Sequence, residues 1–301
     1  MSEPLQVSAV VLHYKGLEDT LACLESLRAS RYAALKIYAV DNGSTDALGT
    51  AHPHTRLIST GANLGYAGGN NAGIRAALEH GCDAVFLVNN DTLLDAGCVA
   101  SLTHTLAEHP RIGIIGPMVY TFGQSQVIGS AGGAIDWRRA DAVNVGAGET
   151  DRGQYAARLV DFVHGCGLMI TRAAIERCGL IDERFFMYWE ETDWCARAQR
   201  AGFEVRFEPA AHMRHKAPIV WDHLGPAALY YTTRNRLLFF ARHAAWRIKP
   251  LALAHAVNGA RQEATRHAQA GRREQARAMR AGLVDALRRR WGRVDPARWQ
   301  A

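Results

Sequence analysis

The chain has 301 residues, of which 48% are hydrophobic and 21% charged, and a formal net charge of +6 at pH 7; these values suit a globular protein of one large domain with an appendage, or of two modest domains. No run is long and apolar enough to cross a bilayer, and the opening MSEPLQ lacks a basic segment followed by an apolar one, so we expect neither a transmembrane helix nor export. The six cysteines are widely spaced without a C-x-x-C pair, which argues against a disulfide framework or a zinc site and predicts reduced, mostly buried thiols in a cytoplasmic protein.

Strands and helices are predicted to alternate in the first part of the chain. Apolar runs predict four strands, at 7–12, 36–40, 56–59 and 83–88. Apolar residues at helical spacing predict one helix through the leucines at 17, 21, 24 and 27, and another from about 71 to 80. This alternation predicts an α/β fold with a mostly parallel, doubly wound sheet flanked by helices. In such sheets, ligands bind beyond the carboxyl ends of the strands.

The second predicted strand ends in the stretch DNGSTD, residues 41–46. Asp41 is suited to accept a hydrogen bond from a nucleoside base or a ribose hydroxyl, and Asp46 is suited to line the same pocket. The alternative is an Asx turn in which Ser44 or Thr45 caps the next helix. The residues alone leave both interpretations open.

The third predicted strand is followed by GANLGYAGGNN, residues 61–71. Backbone amides of the segment 65–71 are suited to approach phosphates, aided by the positive end of the helix that follows. The segment matches neither a Walker loop nor G-x-G-x-x-G, so NTPase and dehydrogenase functions lack their fingerprints. The alternative is a flexible turn.

The fourth predicted strand ends at Asn89, Asn90 and Asp91. One carboxylate, together with diphosphate oxygens and water, is an ordinary site for Mg²⁺ or Mn²⁺. The alternative is an aspartate that only shapes a turn.

The middle of the chain has a weaker pattern. Residues 113–161 predict irregular strands and loops. Residues 162–171, FVHGCGLMIT, predict a strand whose glycines, Gly165 among them, let a ligand approach the backbone.

The densest group of chemical side chains is in FFMYWEETDW, which begins at Phe185. Glu190, Glu191 and Asp193 lie at the start of a predicted helix. Carboxylates held against aromatic rings, with a histidine nearby, suit proton abstraction next to a bound cation. The alternative is a solvated helix face on which Asp193 and Arg197 form an ordinary surface ion pair.

A short strand is predicted after this helix, at 203–207. Pro209 is expected to end that strand, which leaves His212 and His215 in a loop. Either histidine is a candidate partner for the acidic groups, and the alternative is that both are plain loop residues.

The order of these motifs resembles the inverting glycosyltransferases of family 2, which have the GT-A fold, and specifically their rhamnosyltransferase-like bacterial branch. The resemblance covers roughly residues 7–240. It is carried by VSAVVLHYKG, DNGSTD, NLGYAGGNNAG, LVNNDT, the FFMYWEETDWCARAQRAG…P…H block and the RNR of YYTTRNRLLF. It implies transfer of a sugar from a nucleotide-sugar donor, with dTDP-L-rhamnose favoured.

The resemblance also implies a donor and metal site. Asp91 stands where the last aspartate of the family's D-x-D motif binds the divalent cation, Mg²⁺ or Mn²⁺, and Asn89 replaces the first aspartate. His215 is expected to complete the metal shell, with His212 as the alternative. The residues expected to bind the nucleotide sugar are Asp41, Asn42, Gly43, Asp46, Asn63, Gly65, Gly69, Asn70, Asn89, Asn90, Asp91, Gly165 and Arg234.

Glu191 falls where the resemblance places the catalytic base, although its side chain is one methylene longer than the family's aspartate. Glu190 is the alternative base. Asp91 and Glu191 are a hundred positions apart, and we expect them to act in one reaction. A single direct displacement inverts the anomeric centre, so no enzyme nucleophile is required.

Positive charge is concentrated at the C-terminal end. Residues 234–301 hold sixteen arginines and lysines against four acids, a charge of +12, whereas residues 1–233 carry −6. We therefore expect a glycosyltransferase domain over 1–233 and a basic helical region over 234–301. Basic amphipathic helices with tryptophan suit an anionic membrane surface, and the alternatives are a solvated cap or a homodimer contact. We expect no nucleic-acid partner, because no known nucleic-acid module is present and the acidic body would repel a phosphate backbone.

The sequence thus predicts a cytoplasmic enzyme, free or at the inner face of the cell membrane, that acts in cell-surface polysaccharide synthesis. It is expected to transfer L-rhamnose from dTDP-L-rhamnose to a hydroxyl of a glycan or lipid-linked glycan. The same reaction with UDP-galactose or UDP-N-acetylglucosamine stays open. A non-catalytic protein on this fold that binds sugar or nucleic acid is the alternative from another class.

Overall fold

The computed structural model describes residues 3–46, 48–49, 54–124, 126–216 and 224–300. The chain forms two compact units, each assembled from three segments. The first holds 1–134, 144–181 and 194–219, and the second holds 135–143, 182–193 and 220–301. This division differs from the predicted boundary after residue 233, because two short upstream segments pack with the C-terminal helices.

The structure alternates helices and strands, which confirms the predicted α/β class with helices at the C-terminal end. The strands are β1 Val7–His13, β2 Leu35–Asp41, β3 Thr55–Ser59, β4 Ala84–Asn89, β5 Thr92–Leu94, β6 Ile112–Thr121, β7 Ile128–Ser130, β8 Gly133–Asp136, β9 Asp141–Asn144, β10 Arg158–Leu159, β11 Gly167–Thr171 and β12 Glu204–His215. The helices are α1 Leu17–Arg28, α2 Gly65–Glu79, α3 Cys98–Glu108, α4 Arg172–Cys178, α5 Glu190–Arg200, α6 Pro226–His243, α7 Lys249–Gln269, α8 Arg273–Leu287 and α9 Ala297–Gln300.

The first unit is built on one mixed sheet. Within the described residues its strand order is β10-β12-β6-β11-β4-β1-β2-β3, with β5 beside β12 and β7 beside β6. Strands β3, β2, β1 and β4 are parallel, as the alternation of elements predicts. The register sets His13 beside Asp41 and Leu12 beside Asn89, so the carboxyl ends of β1, β2 and β4 lie in one row.

The central strands form where the sequence is apolar on both faces. Val7, Ala9, Val10 and Val11 are at most 1% exposed, because helices cover both sides of a parallel sheet of this kind. The branched side chains of the three valines favour the extended backbone and fill the layer between the sheet and the helices. Helix α1 adds its buried leucines to the same core.

Helix α2 begins at Gly65, earlier than the predicted start near residue 71. A Cβ atom on Gly73 would lie 2.3 Å from Val10 Cγ1, and one on Gly69 would lie 2.4 Å from Leu12 Cδ1. The glycines therefore let the helix lie close against β1. Most of the segment predicted as a phosphate-binding loop is the first two turns of this helix.

Three strand predictions are wrong. The segment predicted to be irregular contains β6, a ten-residue strand that pairs between β12 and β11. Strand β11 begins at Gly167 and not at residue 162. Strand β12 continues past Pro209 to His215, because the register against β6 shifts between Glu208 and His212 and the proline lies in that irregular stretch.

The second unit is helical and has an aromatic core. Tyr230, Tyr231, Phe239 and Phe240 of α6 are at most 3% exposed. Helix α7 turns a row of alanines inward at a spacing of four residues, which permits close helix packing. Across the described segments, every helix is too short or too polar to span a bilayer.

Candidate active site

Asp41 and Asp46 lie just beyond the row of strand ends. Asp41 Oδ1 accepts a hydrogen bond from the Ser44 amide at 2.9 Å, so the Asx turn considered from the sequence is present. Asp46 accepts from Ser44 Oγ at 2.8 Å and from the Leu17 amide at 3.2 Å. The Ser44 hydrogen bond holds the pKa of Asp46 below its ordinary value. Asp46 thus ties this loop to the start of α1.

Asn42 has an internal role in this structure, and its expected contact with the donor stays a prediction. It is 2% exposed, and its side-chain amide donates to the Gly65 carbonyl at 3.1 Å. Its side-chain oxygen accepts from the Leu64 amide at 3.0 Å. Because its donor and its acceptor are both engaged, Asn42 holds two loops together and offers little to a ligand.

The turn after Asn42 depends on Gly43. This glycine has a φ of +72°, and a Cβ on it would lie 2.5 Å from the Ala62 carbonyl carbon. Asn63 accepts from the Gly65 amide at 2.8 Å and so fixes the start of α2. Gly43 thus permits a close approach to the backbone of Ala62, and the Asn63 side chain bonds to the backbone of Gly65.

Two glycines expected to admit a ligand, Gly69 and Gly165, contact other parts of the first unit. Gly69 is buried against β1, and its expected contact with the donor stays a prediction. The Gly165 carbonyl accepts from the Tyr66 hydroxyl at 2.5 Å. The side-chain nitrogen of the buried Asn70 donates to the Tyr66 carbonyl at 3.0 Å. Sequence reasoning did not identify Tyr66 as a residue that shapes this site. Its position within the motif NLGYAGG could have indicated that role.

Asn90 connects the end of β4 to the region before α1. Its side-chain amide donates to the Lys15 carbonyl at 2.8 Å and to Thr20 Oγ1 at 2.9 Å. The carbonyl of Asn89 accepts from Thr92 Oγ1 at 2.6 Å. Together these bonds fix the backbone that leads into Asp91.

Asp91 and His215 meet at the end of β12. His215 Nε2 lies 3.2 Å from Asp91 Oδ1, and their side chains are 7% and 25% exposed. Burial acts to raise the pKa of Asp91, but the adjacent His215 and the smaller contributions of other neighbours together hold that pKa below its ordinary value. His212 instead lies 3.6 Å from Asp95 and packs against Tyr120. Of the two candidate histidines, the structure brings His215 to Asp91.

Sequence reasoning missed a second histidine at this point. The rings of His164 and His215 are 5.6 Å apart. Burial, with a contribution from His215, lowers the pKa of His164 to about 3, so His164 is neutral at physiological pH. Its Nδ1 accepts from the Cys166 amide at 3.1 Å, which leaves the proton of the neutral ring on Nε2. In the sequence, the position of His164 directly before Gly165 was the signal that could have placed it near the site.

The Asp91–His215 pair fits a divalent cation. Neither ring nitrogen of His215 makes a hydrogen bond of normal geometry with any residue that the structure describes, although both nitrogens are buried. A carboxylate oxygen and an imidazole nitrogen are suitable metal donors, with other positions left to diphosphate oxygens and water. No cluster of three or more His, Cys, Asp or Glu side chains in the described ranges is arranged to hold a metal alone.

The acidic pair of the second unit is largely withdrawn from solvent. Glu190 is 4% exposed and Glu191 is half-buried, so the alternative of a solvated helix face does not apply to Glu190. Burial, reinforced by the charges of Glu191 and Asp193, raises the pKa of Glu190 well above its ordinary value. Burial also raises the pKa of Glu191. A carboxylate with a raised pKa is a stronger base once ionised.

Asp193 is a core residue, and the prediction of an ordinary surface pair is wrong in that respect. Its side chain is fully buried, and Oδ1 lies 2.7 Å from His243 Nε2 and 3.0 Å from an Arg242 nitrogen. A buried carboxylate requires such partners because an unpaired charge in the core is costly. The pair links the start of α5 to the end of α6.

The backbone before the acidic pair is strained. Phe186, Tyr188 and Trp189 have φ angles of +64°, +67° and +74°, which non-glycine residues seldom adopt. The side-chain nitrogen of Asn235 lies 2.8 Å from each of the carbonyls of Phe185, Met187 and Tyr188. Asn235 therefore stabilises an unusual conformation directly in front of Glu190.

Arg234 supports the same segment, and its expected contact with the donor stays a prediction. It is 1% exposed and donates to the carbonyls of Phe185 at 3.0 Å, Arg184 at 3.2 Å and Gly292 at 2.7 Å. Arg234 and Asn235, the first two residues of RNR, thus position the backbone before the acids.

Asn235→Ala is expected to lower the free energy of unfolding by about 2–3 kcal/mol, because buried carbonyls lose their donor. It should also reduce sugar transfer, because the strained segment loses its support. Urea denaturation measures the first effect. Asn258→Ala, an exposed position on α7, is the matched control and should change stability by less than about 0.5 kcal/mol. Equal stability of the two variants would contradict the assigned role.

Residues 4–237 match the family model described as "Glycosyltransferase like family 2". The chain belongs to this family. Family 2 membership agrees with the motif order in the sequence and confirms the resemblance stated above. It also identifies the protein as a glycosyltransferase, whose fold places polar side chains along the strand ends of the first unit.

Two relatives of this glycosyltransferase have names that state the sugar transfer each performs. The low-salt glycan biosynthesis hexosyltransferase Agl10 of Haloferax volcanii is 27% identical over 238 residues, 77% of this chain and 74% of the relative. The N-acetylglucosaminyl-diphospho-decaprenol L-rhamnosyltransferase of Mycobacterium tuberculosis is 27% identical over 258 residues, 76% of this chain and 82% of the relative.

Two solved structures confirm the GT-A fold of this family 2 protein. GalNAc-T7 with UDP, GalNAc and Mn²⁺ superposes with a TM-score of 0.64 at 14% identity, over 79% of this chain and 48% of that chain. The mannosyltransferase PcManGT of Pyrobaculum calidifontis, with GDP-Man and Mn²⁺, superposes with a TM-score of 0.59 at 16% identity. That match covers 95% of this chain and 88% of the other.

Proposed function

We propose that this chain is a metal-dependent, inverting glycosyltransferase that moves a sugar from a nucleoside diphosphate to a hydroxyl of a glycan or lipid-linked glycan. The observation that carries the proposal is the Asp91–His215 pair, in which Nε2 faces the carboxylate at 3.2 Å and neither buried ring nitrogen makes a hydrogen bond of normal geometry with a described residue. A site of this kind suits a cation that also takes oxygens from a diphosphate.

The proposed donor is dTDP-L-rhamnose. The support is the match to a relative named as an L-rhamnosyltransferase, together with the motif order. A UDP-hexose such as UDP-galactose or UDP-N-acetylglucosamine is the second candidate, supported by the relative named as a hexosyltransferase. The acceptor class, a lipid-linked glycan, is proposed from the diphospho-decaprenol in the first relative's name.

The donor side of the reaction is assigned to the first unit. Asp91 and His215 would hold Mg²⁺ or Mn²⁺, which when bound neutralises negative charge on the departing diphosphate. Neutral His164 adds no positive charge there, so it does not compete with a cation for Asp91. Asp41, which has an oxygen beyond the one used in the Asx turn, is proposed to accept from the nucleoside.

The acceptor hydroxyl is assigned to the acidic pair of the second unit. A sugar hydroxyl is far too weak an acid to ionise at neutral pH and needs a carboxylate to take its proton. Glu190 is the more deeply buried of the two and is proposed to hold a proton, which leaves Glu191 as the ionised base. The same displacement inverts the anomeric centre and uses no enzyme nucleophile.

The proposed place of action is the cytoplasmic face of the cell membrane, where a lipid-linked acceptor is anchored. The +12 charge of residues 234–301 supports contact with anionic lipid. A homodimer contact is the alternative use of the same surface.

The test is a donor assay with purified protein, Mn²⁺ and dTDP-L-rhamnose, UDP-galactose or UDP-N-acetylglucosamine. We expect slow release of dTDP from dTDP-L-rhamnose, and a thermal shift with that donor because a ligand of the folded state stabilises it. Turnover of a UDP-sugar, without turnover of dTDP-L-rhamnose, would identify the UDP-sugar as the donor. Absence of turnover with all three donors would favour a non-catalytic binding protein.

A further inference from the structure

The segment between α6 and α7 presents large exposed apolar side chains. Trp246 is 76% exposed, and Leu251 in the first turn of α7 is 49% exposed. The Arg247 guanidinium lies 5.2 Å from the centroid of the Trp246 ring. An indole beside a cation suits the boundary between water and lipid, since the ring enters the headgroup region while the cation meets phosphate.

The β8–β9 hairpin brings two more arginines to this part of the second unit. His255 donates to the Arg138 carbonyl at 2.8 Å, and Arg236 donates to the Arg139 carbonyl at 3.2 Å. His255 is one helical turn from Leu251, so the hairpin tip lies beside the face that displays Leu251. The side chains of Arg138 and Arg139 are exposed. The fold thus joins residues that are more than a hundred positions apart.

The charge balance of this region is positive. From residue 224 to residue 262 the sequence contains six arginines and lysines and no acid. The hairpin contributes two acids, of which Asp136 lies 3.9 Å from Arg139 and Asp141 lies 3.9 Å from Arg236. Each hairpin acid is therefore offset by an arginine, Arg139 of the hairpin or Arg236 of α6, and the cations beside Trp246 set the sign of the surface.

We propose that this surface docks on an anionic membrane. It consists of Trp246, Arg247, Lys249, Leu251, Arg138 and Arg139, and we call it the docking face. Its apolar pair enters the headgroup region and its cations meet lipid phosphates. A second copy of the chain fits less well, because two positive faces repel each other. The purpose of docking, access to a lipid-linked acceptor, rests on the proposed function. Membrane binding itself does not depend on catalysis.

The test is flotation of the full chain with vesicles of phosphatidylcholine, with or without phosphatidylglycerol. We expect binding only with phosphatidylglycerol, and a loss of at least about tenfold in vesicle affinity for Trp246→Ala/Leu251→Ala. Leu159→Ala, which removes a side chain 57% exposed on the first unit, is the apolar control and should bind like the wild type. Deletion of the C-terminal helices is a poorer test, because their buried residues pack against α6.

Two double variants test whether the docking face itself binds the vesicles or whether any positive charge of the C-terminal region does so. Arg247→Gln/Lys249→Gln and Arg289→Gln/Arg290→Gln each remove two charges, but only the first pair lies on the docking face. We expect the first pair to weaken vesicle binding at least about tenfold more than the second. Equal losses would overturn the proposal, as would failure of the wild type to float.

Two further readouts keep the conclusions separate. If Trp246→Ala/Leu251→Ala converts a dimer to a monomer by light scattering, the face is a contact between copies and the membrane proposal is wrong. Donor hydrolysis in solution should be the same in all four variants. A chain that floats as expected but hydrolyses no donor would retain the docking face and lose the proposed function.

Discussion

Replacement of Glu191 by glutamine is expected to reduce sugar transfer by about 10²–10⁴-fold, the usual contribution of a general base. The amide has almost the same shape but cannot take the acceptor proton. Donor binding should be nearly unchanged, because the donor contacts are assigned to other residues. Single-turnover transfer and the thermal shift with donor and Mn²⁺ measure the two properties separately.

Glu190→Gln is the matched control. If Glu190 carries a proton in the enzyme, glutamine mimics it, and most of the activity should remain. A large loss in Glu190→Gln with little loss in Glu191→Gln would assign the base to Glu190.

The pH profile gives a second check on the same pair. Because burial raises the pKa of Glu191, its ionised fraction falls as pH decreases through that raised value. Transfer by the wild type should therefore decline on the acid side at a higher pH than an ordinary exposed glutamate would give. Glu191→Gln should lose this acid limb.

Asp91→Asn is expected to slow donor turnover by about 10²–10³-fold, equivalent to about 3–4 kcal/mol of barrier. Asparagine keeps the shape but loses the charge that attracts a cation. The concentration of Mn²⁺ needed for half-maximal activity should rise. Donor hydrolysis measured across a Mn²⁺ titration reports both changes.

Asp95→Asn is the control for this substitution. Asp95 is a carboxylate of the same unit beside the other candidate histidine, His212, and it also contacts Arg214. Its replacement should leave the Mn²⁺ requirement unchanged. If Asp95→Asn raises that requirement and Asp91→Asn does not, the cation binds near His212 and the assigned pair is wrong.

Some of the fold could be predicted because its signals are local. Apolar runs of strand length located β1 to β4 and leucines at helical spacing located α1, since the periodicity of apolar residues is a local signal of strand or helix. The end of strand β12 could not be predicted locally, because the irregular pairing that lets the strand continue past Pro209 depends on its partner β6. The start of α2 was missed for a similar reason, since its glycines are explained by close contact with β1.

The sequence by itself determined the α/β class, the order of the motifs along the strand ends and the presence of an acidic pair at a helix start. Only the tertiary structure decided which of these side chains have internal partners, as Asn42 and Arg234 do, and that Gly69 packs closely against β1. It also brought His164 to His215, and the hairpin arginines to the face of Leu251. Local patterns report which residues must be buried, whereas contacts between distant residues follow from how the elements pack, and those contacts set the charge and availability of each group.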